Sequence, residues 1–334
     1  MPRKHSGAAL IAAVAAVVFV GPSPLRASSY LLFLELQGIA GYSTAAKKAV
    51  FASMNDMEAM QKPSLGFDYI QRVVGANRDI AVLAVQGRLA YNAEGSTALE
   101  PQLYNAYLKI KAGFADVWIG HNRPKFGLAA VFDTHNHLLQ PLAMRGYGFE
   151  RDWGVGVEKD YGWGSAGASL TTGSGMPLAL HGNYFVSARV SSGVLERDNY
   201  SFGISAGHGR FLDVMGTHVM SHDTAPFTMA AFDISVLANA WEHHFECYAG
   251  GRNKQNAFAA LWRAGRGFLD ENRLRLEVQP AFILAAGTAS WQLAAGATYI
   301  AHPDWTLRAM VSRDSETRDV RVIFQVSFSK GIKF

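Results

Sequence analysis

Acid and imidazole groups come together twice in this chain. Asp133, His135 and His137 alternate in the run Asp133-Thr134-His135-Asn136-His137, and a second group runs from Thr217-His218 to His222-Asp223. Alternate residues of an extended segment share one side, as metal ligands require. Neither spacing fixes a third ligand, and the adjacent His243 and His244 would point to opposite faces of a strand. Serine, histidine and aspartate could in principle build a hydrolytic triad. Neither a G-x-S-x-G nucleophile elbow nor a phosphate-cradling G-x-x-x-x-G-K-[ST] loop is expected. No catalytic group, metal site or cofactor is therefore expected.

Other charged groups follow a period of two. Val322, Phe324, Val326, Phe328, Ile332 and Phe334 hold one parity of the last segment, against Arg321, Gln325, Ser327 and Ser329. Leu83, Val85, Leu89 and Tyr91 oppose Gln86, Arg88 and Asn92, and Leu274, Leu276 and Val278 oppose Arg275, Glu277 and Gln279. This alternation marks strands with one apolar and one polar face. Extended along the chain, it puts Arg88, Arg189, Arg263, Arg275, Arg308 and Arg321 on polar faces with Glu158, Asp233, Glu246 and Glu277. Facing rows of opposite charge would set a transverse field across a narrow passage, and a slight excess of Arg would favour anions. The alternative is that these groups pair and plug the space.

The ends say where such strands would sit. Arg3, Lys4 and His5 precede an uncharged apolar run from Gly7 to Val20, followed by Pro22, Pro24, Ala27 and Ser28. That is the layout of a secretory signal peptide, expected to span residues 1–27 and to leave 28–334 as one domain. The run is shorter than the roughly 20 residues a spanning helix needs. Losing Arg3, Lys4 and Arg26 takes 31 basic residues to 28 against 27 acidic ones, a net charge near +1. No basic footprint for nucleic acid remains. The single cysteine, Cys247, excludes an internal disulfide, a four-cysteine metal site and a haem-attachment motif. It lies on the apolar parity of its segment.

About 16 strand-like segments can be counted, an even number as in outer-membrane barrels. They fall near 30–42, 64–74, 79–92, 100–111, 114–121, 151–160, 163–173, 182–195, 199–209, 228–237, 241–251, 256–267, 272–285, 290–301, 305–315 and 318–334. Many approach the roughly 9–11 residues that a tilted strand needs to cross a bilayer. In such a barrel the apolar parity faces lipid and the polar parity an aqueous lumen. Turn formers such as Gly75-Ala76-Asn77-Arg78, Tyr161-Gly162 and His302-Pro303-Asp304 predict short turns at one end. The longest connections, near 43–63, 122–150 and 210–227, fall at the other. Within the first of them, Met54, Met57 and Met60 have helical spacing and predict a short packing helix. Trp163, Trp241 and Trp305 lie beside the short turns, as interfacial aromatics do.

The connection from Asn122 to Glu150 is rich in Phe, Leu and His, so it is expected to pack inside the barrel. Arg123, Lys125, Asp133, His135, His137 and Arg145 would then stand at the constriction. The segment opens with Val117-Trp118-Ile119-Gly120-His121-Asn122-Arg123-Pro124-Lys125-Phe126-Gly127-Leu128 and closes into Glu150-Arg151-Asp152-Trp153-Gly154-Val155-Gly156-Val157. From about Phe114 to Asp160 the chain resembles the region around the constriction loop of phosphate-selective, O/P-type porins. The resemblance implies an all-β, transmembrane antiparallel β-barrel with its third outer loop folded into the lumen. The dense lysine cluster of those porins has no match here, so phosphate selectivity is not implied.

The expectation is an outer-membrane porin for passive diffusion of small hydrophilic solutes, with a weak anion preference. Its expected partners are outer-membrane lipid, the barrel-assembly machinery reading the terminal Phe334, and further copies of itself. One rival is a barrel scaffold that sheathes a multihaem cytochrome in an electron conduit. The other is an outer-membrane hydrolase.

Overall fold

A computed structural model describes residues 29–332 except 55–60, 76–77, 94–97, 134 and 136. The expected signal segment, Met57, Met60 and Phe334 lie outside the described residues. In chain order the strands are β1 (Ser29–Ser43), β2 (Lys48–Val50), β3 (Ser64–Val74), β4 (Asp79–Tyr91), β5 (Leu99–Lys111) and β6 (Asp116–Asn122). Then come β7 (Asp152–Tyr161), β8 (Gly164–Thr171), β9 (Tyr184–Ser192), β10 (Tyr200–Met215), β11 (His218–Ala238) and β12 (Trp241–Arg252). The wall is completed by β13 (Gln255–Phe268), β14 (Leu274–Ala285), β15 (Thr288–His302), β16 (Trp305–Asp314) and β17 (Val320–Ile332).

From β3 onward each strand pairs antiparallel with the next. β1 pairs with β17 from Leu32↔Ile332 to Ser43↔Arg321, and with β3 from Ser29↔Arg72 to Gln37↔Ser64. These two ladders close a barrel of 16 strands, with β2 a short ribbon beside the end of β1. Closure leaves no edge, which is the condition for strands to satisfy their backbone groups without water.

The period of two decides which face goes where. Along β9, Tyr184, Val186, Ala188 and Val190 are exposed while Phe185, Ser187, Arg189 and Ser191 are buried. In a closed barrel the buried parity is the inside. The outside is a continuous apolar surface that includes Leu65, Ile119, Leu170, Ile204 and Phe324, all more than half exposed. Trp163, Trp241 and Trp305 are exposed at one end of it, as their positions beside the short turns predict. The Trp241 and Trp262 rings sandwich His243, whereas His244 is buried, so these two histidines do face opposite ways.

One expectation needs correction. The stretch 210–227 is not a loop: β10 and β11 continue through it and turn at 216–217, with a bulge between Leu212 and Val214. The long connections therefore all lie before β9, at 44–63, 92–98, 123–151 and 172–183, while 253–254 and 286–287 are tight turns at the same end. A second bulge lets Gln86 face Asn105 and Gly87 face Leu103, skipping Tyr104. The extra residue turns the Tyr104 ring inward, where it is fully buried. In the methionine-bearing connection residues 48–50 form β2, and the expected helix over Met54, Met57 and Met60 falls largely outside the described residues.

The outward parity gives a direct test. Phe324→Arg places a charge on the middle of that face and is expected to cost about 2–4 kcal/mol, the range for arginine at a bilayer midplane. Reversible urea unfolding in lipid vesicles measures it, and an unshifted midpoint would mean that the face does not meet lipid.

Candidate functional site

The inner wall is built from side chains that the register brings together across strands. Arg189 of β9 reaches over β10 to Asp233 of β11, donating from Nη2 at 2.6 Å and from Nε at 3.2 Å. Gly203 of β10 lies beneath this pair, and a Cβ there would strike both side chains. Arg263 donates to Glu277 at 2.5 and 2.8 Å, and Arg275 to Glu242 at 2.6 Å. Arg321 donates to Asp319 at 2.7 Å. Arg88 donates to Gln102 at 2.9 Å and lies 5.6 Å from the Tyr104 ring centre. Arg308 donates to Ser327 at 3.1 Å and, among the described residues, forms no ion pair. All the arginines and carboxylates expected on the polar parity thus sit on the inner wall, and most are neutralised pairwise. Removing one member of such a buried pair leaves an uncompensated charge, a strongly destabilising change.

The segment between β6 and β7 crosses this interior. Its first anchor is polar: the Lys125 N–H donates to Ser169 Oγ at 3.0 Å, and the Lys125 ammonium pairs with Glu158, which also pairs with Lys109. The next anchor is apolar. Phe126 inserts among Phe185, Phe227 and Tyr248, with ring centres 5.4 to 5.8 Å away. Gly127 follows at φ 63°, and a side chain there would collide with the Tyr248 hydroxyl. Its N–H donates to Ser205 Oγ at 2.9 Å.

The chain then spreads to the remaining walls. Asp133 accepts from Arg123 at 2.6 Å and from Arg151 at 3.4 Å. His135 meets Glu35 of β1 at 3.0 Å and packs 4.3 Å from the Tyr104 ring, whereas His137 Nδ1 accepts from Arg263 of β13 at 2.9 Å. Leu138 and Leu139 join Ile39, Ala294, Met310 and Ile323 in a small apolar cluster. Gln279 donates to the Gln140 carbonyl at 2.9 Å, and the Leu142 N–H donates to the buried Glu246 carboxylate at 2.8 Å. Arg145 bonds Gln292 and lies 3.7 Å from Asp314. Arg151 returns the chain to β7, bonding Glu150 and Asn105 at 2.8 Å with its guanidinium 4.0 Å from the Tyr104 ring centre.

A cavity of about 680 Å³ lies on the turn side of the segment. Glu35, Asp68, Asp133 and Glu158 supply its acids, and Lys109, Arg123, Lys125 and Arg308 its cations. A second cavity of about 930 Å³ lies on the loop side. Burial alone would raise the Asp133 carboxyl, but the guanidiniums of Arg123 and Arg151 outweigh it and hold the group well below the usual carboxylate range. Burial, reinforced by the charges of Arg263, Arg275 and Arg308, holds the His137 imidazole well below its ordinary value and therefore neutral. The segment thus offers a fixed anion at Asp133 and no switchable charge at His137.

Five of the six residues expected at the constriction, Arg123, Lys125, Asp133, His135 and His137, line the turn-side cavity, whereas Arg145 lines the loop-side one. His135 turns to Glu35 of β1 and His137 to Arg263 of β13. His218 and His222 stand on the β11 extension, with His222 against His181 and His218 against Glu100. The expectation of no G-x-S-x-G spacing also needs correcting, because Gly203-Ile204-Ser205-Ala206-Gly207 has it. The spacing falls in the middle of β10 instead of on a strand-to-helix elbow, and Ser205 is committed to the Gly127 N–H. Sequence reasoning missed Glu35, Asp68 and Tyr104. The first two stand on strands whose alternation could have revealed them, and Tyr104 depends on a bulge.

No family model matches the chain, and no curated protein matches it in sequence. Solved structures do match in fold. OmpF of Salmonella typhi, solved as a complex with daunomycin, has a TM-score of 0.66 at 12% identity, over 90% of this chain and 97% of that one. The anion-selective porin from Comamonas acidovorans has a TM-score of 0.62 at 9% identity, over 91% and 100%. A loop L8 deletion mutant of OmpT, an outer membrane protein of Vibrio cholerae, gives 0.60 at 10% identity, over 91% and 100%. The fold is therefore the closed 16-stranded antiparallel barrel of the porins.

Glu246 gives this arrangement a checkable hinge point, since it accepts from both the Leu142 N–H and the Tyr248 hydroxyl. Glu246→Leu strands both donors, at about 1–3 kcal/mol for each buried unsatisfied group. Amide exchange at Leu142 is expected to accelerate by about tenfold or more while exchange in β16 and β17 stays unchanged. An unaltered Leu142 rate would show that the carboxylate does not hold the segment.

Proposed function

We propose that this barrel sits in a bacterial outer membrane as a porin, giving small hydrophilic solutes a passive, water-filled path. The observation that carries this reading is the pairing of a lipid-compatible outer face with a charged inner cavity inside one closed sheet. On this reading residues 1–27 are the export signal and 28–334 the barrel. The end with long connections faces outward, and the terminal Phe334 is what the assembly machinery recognises. Further copies of the chain and membrane lipid are its structural partners, and it needs no cofactor and performs no catalysis.

The segment from Asn122 to Glu150 is proposed as the constriction. Glu35, Asp68 and Asp133 share the turn-side cavity with Arg308, which has no ion-pair partner among the described residues, so solutes cross an uneven field. The net preference is for anions and is weak, because Lys125 is matched by Glu158 and Arg123 by Asp133. The same matching argues against strong phosphate selectivity, despite the resemblance to O/P-type porins around Arg123-Pro124-Lys125. The scaffold reading is less favoured, since Phe126, Leu142 and Tyr147 and their aromatic neighbours fill the space a sheathed partner would need. The hydrolase reading finds Ser205 engaged in structure.

Single-channel recording of the purified mature chain in a planar bilayer under a salt gradient tests this. Stable open steps with a small anion-favouring reversal potential are expected. The double variant Arg123→Gln with Lys125→Gln removes two positive charges, leaves Asp133 to Arg151 and Glu158 to Lys109, and moves the reversal potential towards cations. An unchanged reversal potential would remove this segment from the selectivity account, and a folded but silent barrel would defeat the pore reading.

A further inference from the structure

The loop-side cavity is lined differently from the rest of the lumen. It lies between the Asn122–Glu150 segment and the extended β10–β11 hairpin, and its volume of about 930 Å³ is that of a small-molecule site. Phe149, Phe211 and Phe227 form one wall, with the Phe149 and Phe211 ring centres 4.5 Å apart and Phe211 stacked on Phe227 at 4.2 Å. Met144 and Met176 form part of another, packed on Tyr104. A path for water and simple ions has no use for this apolar surface. Thioether side chains adapt to flat rings of varied outline.

Of the three arginines that line this cavity, Arg145, Arg151 and Arg252, one has no carboxylate partner among the described residues. Arg252, at the end of β12, rests its guanidinium against the backbone of Gly146 and 5.3 Å from the Tyr147 ring centre. It also donates to the Arg145 carbonyl at 3.3 Å. Arg145 has Asp314 at 3.7 Å and Arg151 has Glu150 at 2.8 Å, but among the described residues no carboxylate pairs with Arg252. The planar fork is held in place by the ring and still has donors to offer, the geometry that takes a carboxylate. Asp213 and Asp223 line the hairpin side of the cavity and would repel a second negative charge.

We infer that this cavity binds aromatic monocarboxylates, with the ring between the phenylalanines and methionines and the carboxylate on Arg252. The inference deepens the porin reading and rests on it only for the site's place on an entry path, because binding itself needs no conduction.

Isothermal titration of sodium benzoate into the folded barrel in detergent, with sodium acetate and benzylammonium chloride as comparisons, tests it. Benzoate is expected to bind at least about tenfold more tightly than either, a difference of about 1.4 kcal/mol. Arg252→Gln removes that advantage. Phe211→Ala weakens benzoate and leaves acetate unchanged, with Met176→Gln replacing it if that variant lacks the heat-modifiable migration of a folded barrel. Equal binding of benzoate and acetate, or undiminished benzoate binding by Arg252→Gln, would overturn the assignment. A barrel silent in bilayers that still binds benzoate through Arg252 would defeat the pore reading and keep this one, and a conducting barrel without benzoate preference would do the reverse.

Discussion

Backbone hydrogen bonding without water is the constraint on which the rest of this structure depends. In hydrocarbon an unpaired N–H or C=O costs several kcal/mol, so a sheet must close on itself. Here closure is made by β1, which holds β17 along one edge and β3 along the other. Once the ring is closed, the period of two leaves each side chain only two destinations. The apolar parity covers the outside, and the polar parity has to find partners within a confined interior.

That interior is divided by the Asn122–Glu150 segment. Against β9, β11 and β12 the segment is held by Phe126 and an aromatic cluster, so inward positions there carry Phe185, Phe227 and Tyr248 instead of polar groups. Against β1 and β7 it bonds Glu35 through His135 and Glu158 through Lys125, while Asp68 of β3 and Lys109 of β5 face it across the turn-side cavity. The charges are arranged for mutual compensation, with Arg189–Asp233 and Arg263–Glu277 fully buried on the wall and Asp133 shared between two guanidiniums. The result is an interior whose shape is fixed by packing and whose field comes from the few groups that remain incompletely balanced, Arg308 among them.

The strands were legible because an apolar outer face and a largely polar inner one write an alternation into each. All the expected segments have a counterpart in the wall, most within a few residues. The β10–β11 extension was not legible, because from Phe211 to Pro226 no lipid-facing row is maintained and Gly216, His218, Asp223 and Pro226 read as loop. Ion-pair partners were not legible either. Arg189 and Asp233 are 44 positions apart, and only the register across β10 joins them. The inward aromatics broke the polar-lumen rule for a reason that local sequence does not contain, namely what the crossing segment covers. The candidate constriction residues were legible as a group from the composition of their segment, but the wall residue each one meets was not.

The native cysteine offers the most direct test of the central claim that one parity meets lipid and the other an aqueous interior. Cys247 stands on the outward parity of β12, opposite Phe232 and Ala260, while Tyr107 of β5 lines the turn-side cavity. In vesicles containing the folded barrel, Cys247 is predicted to react with a lipid-soluble maleimide and not with a charged, membrane-impermeant one. In a Cys247→Ala background, Tyr107→Cys is predicted to show the opposite preference. Equal reaction of both positions with the charged reagent, or a reversed pattern, would contradict the account.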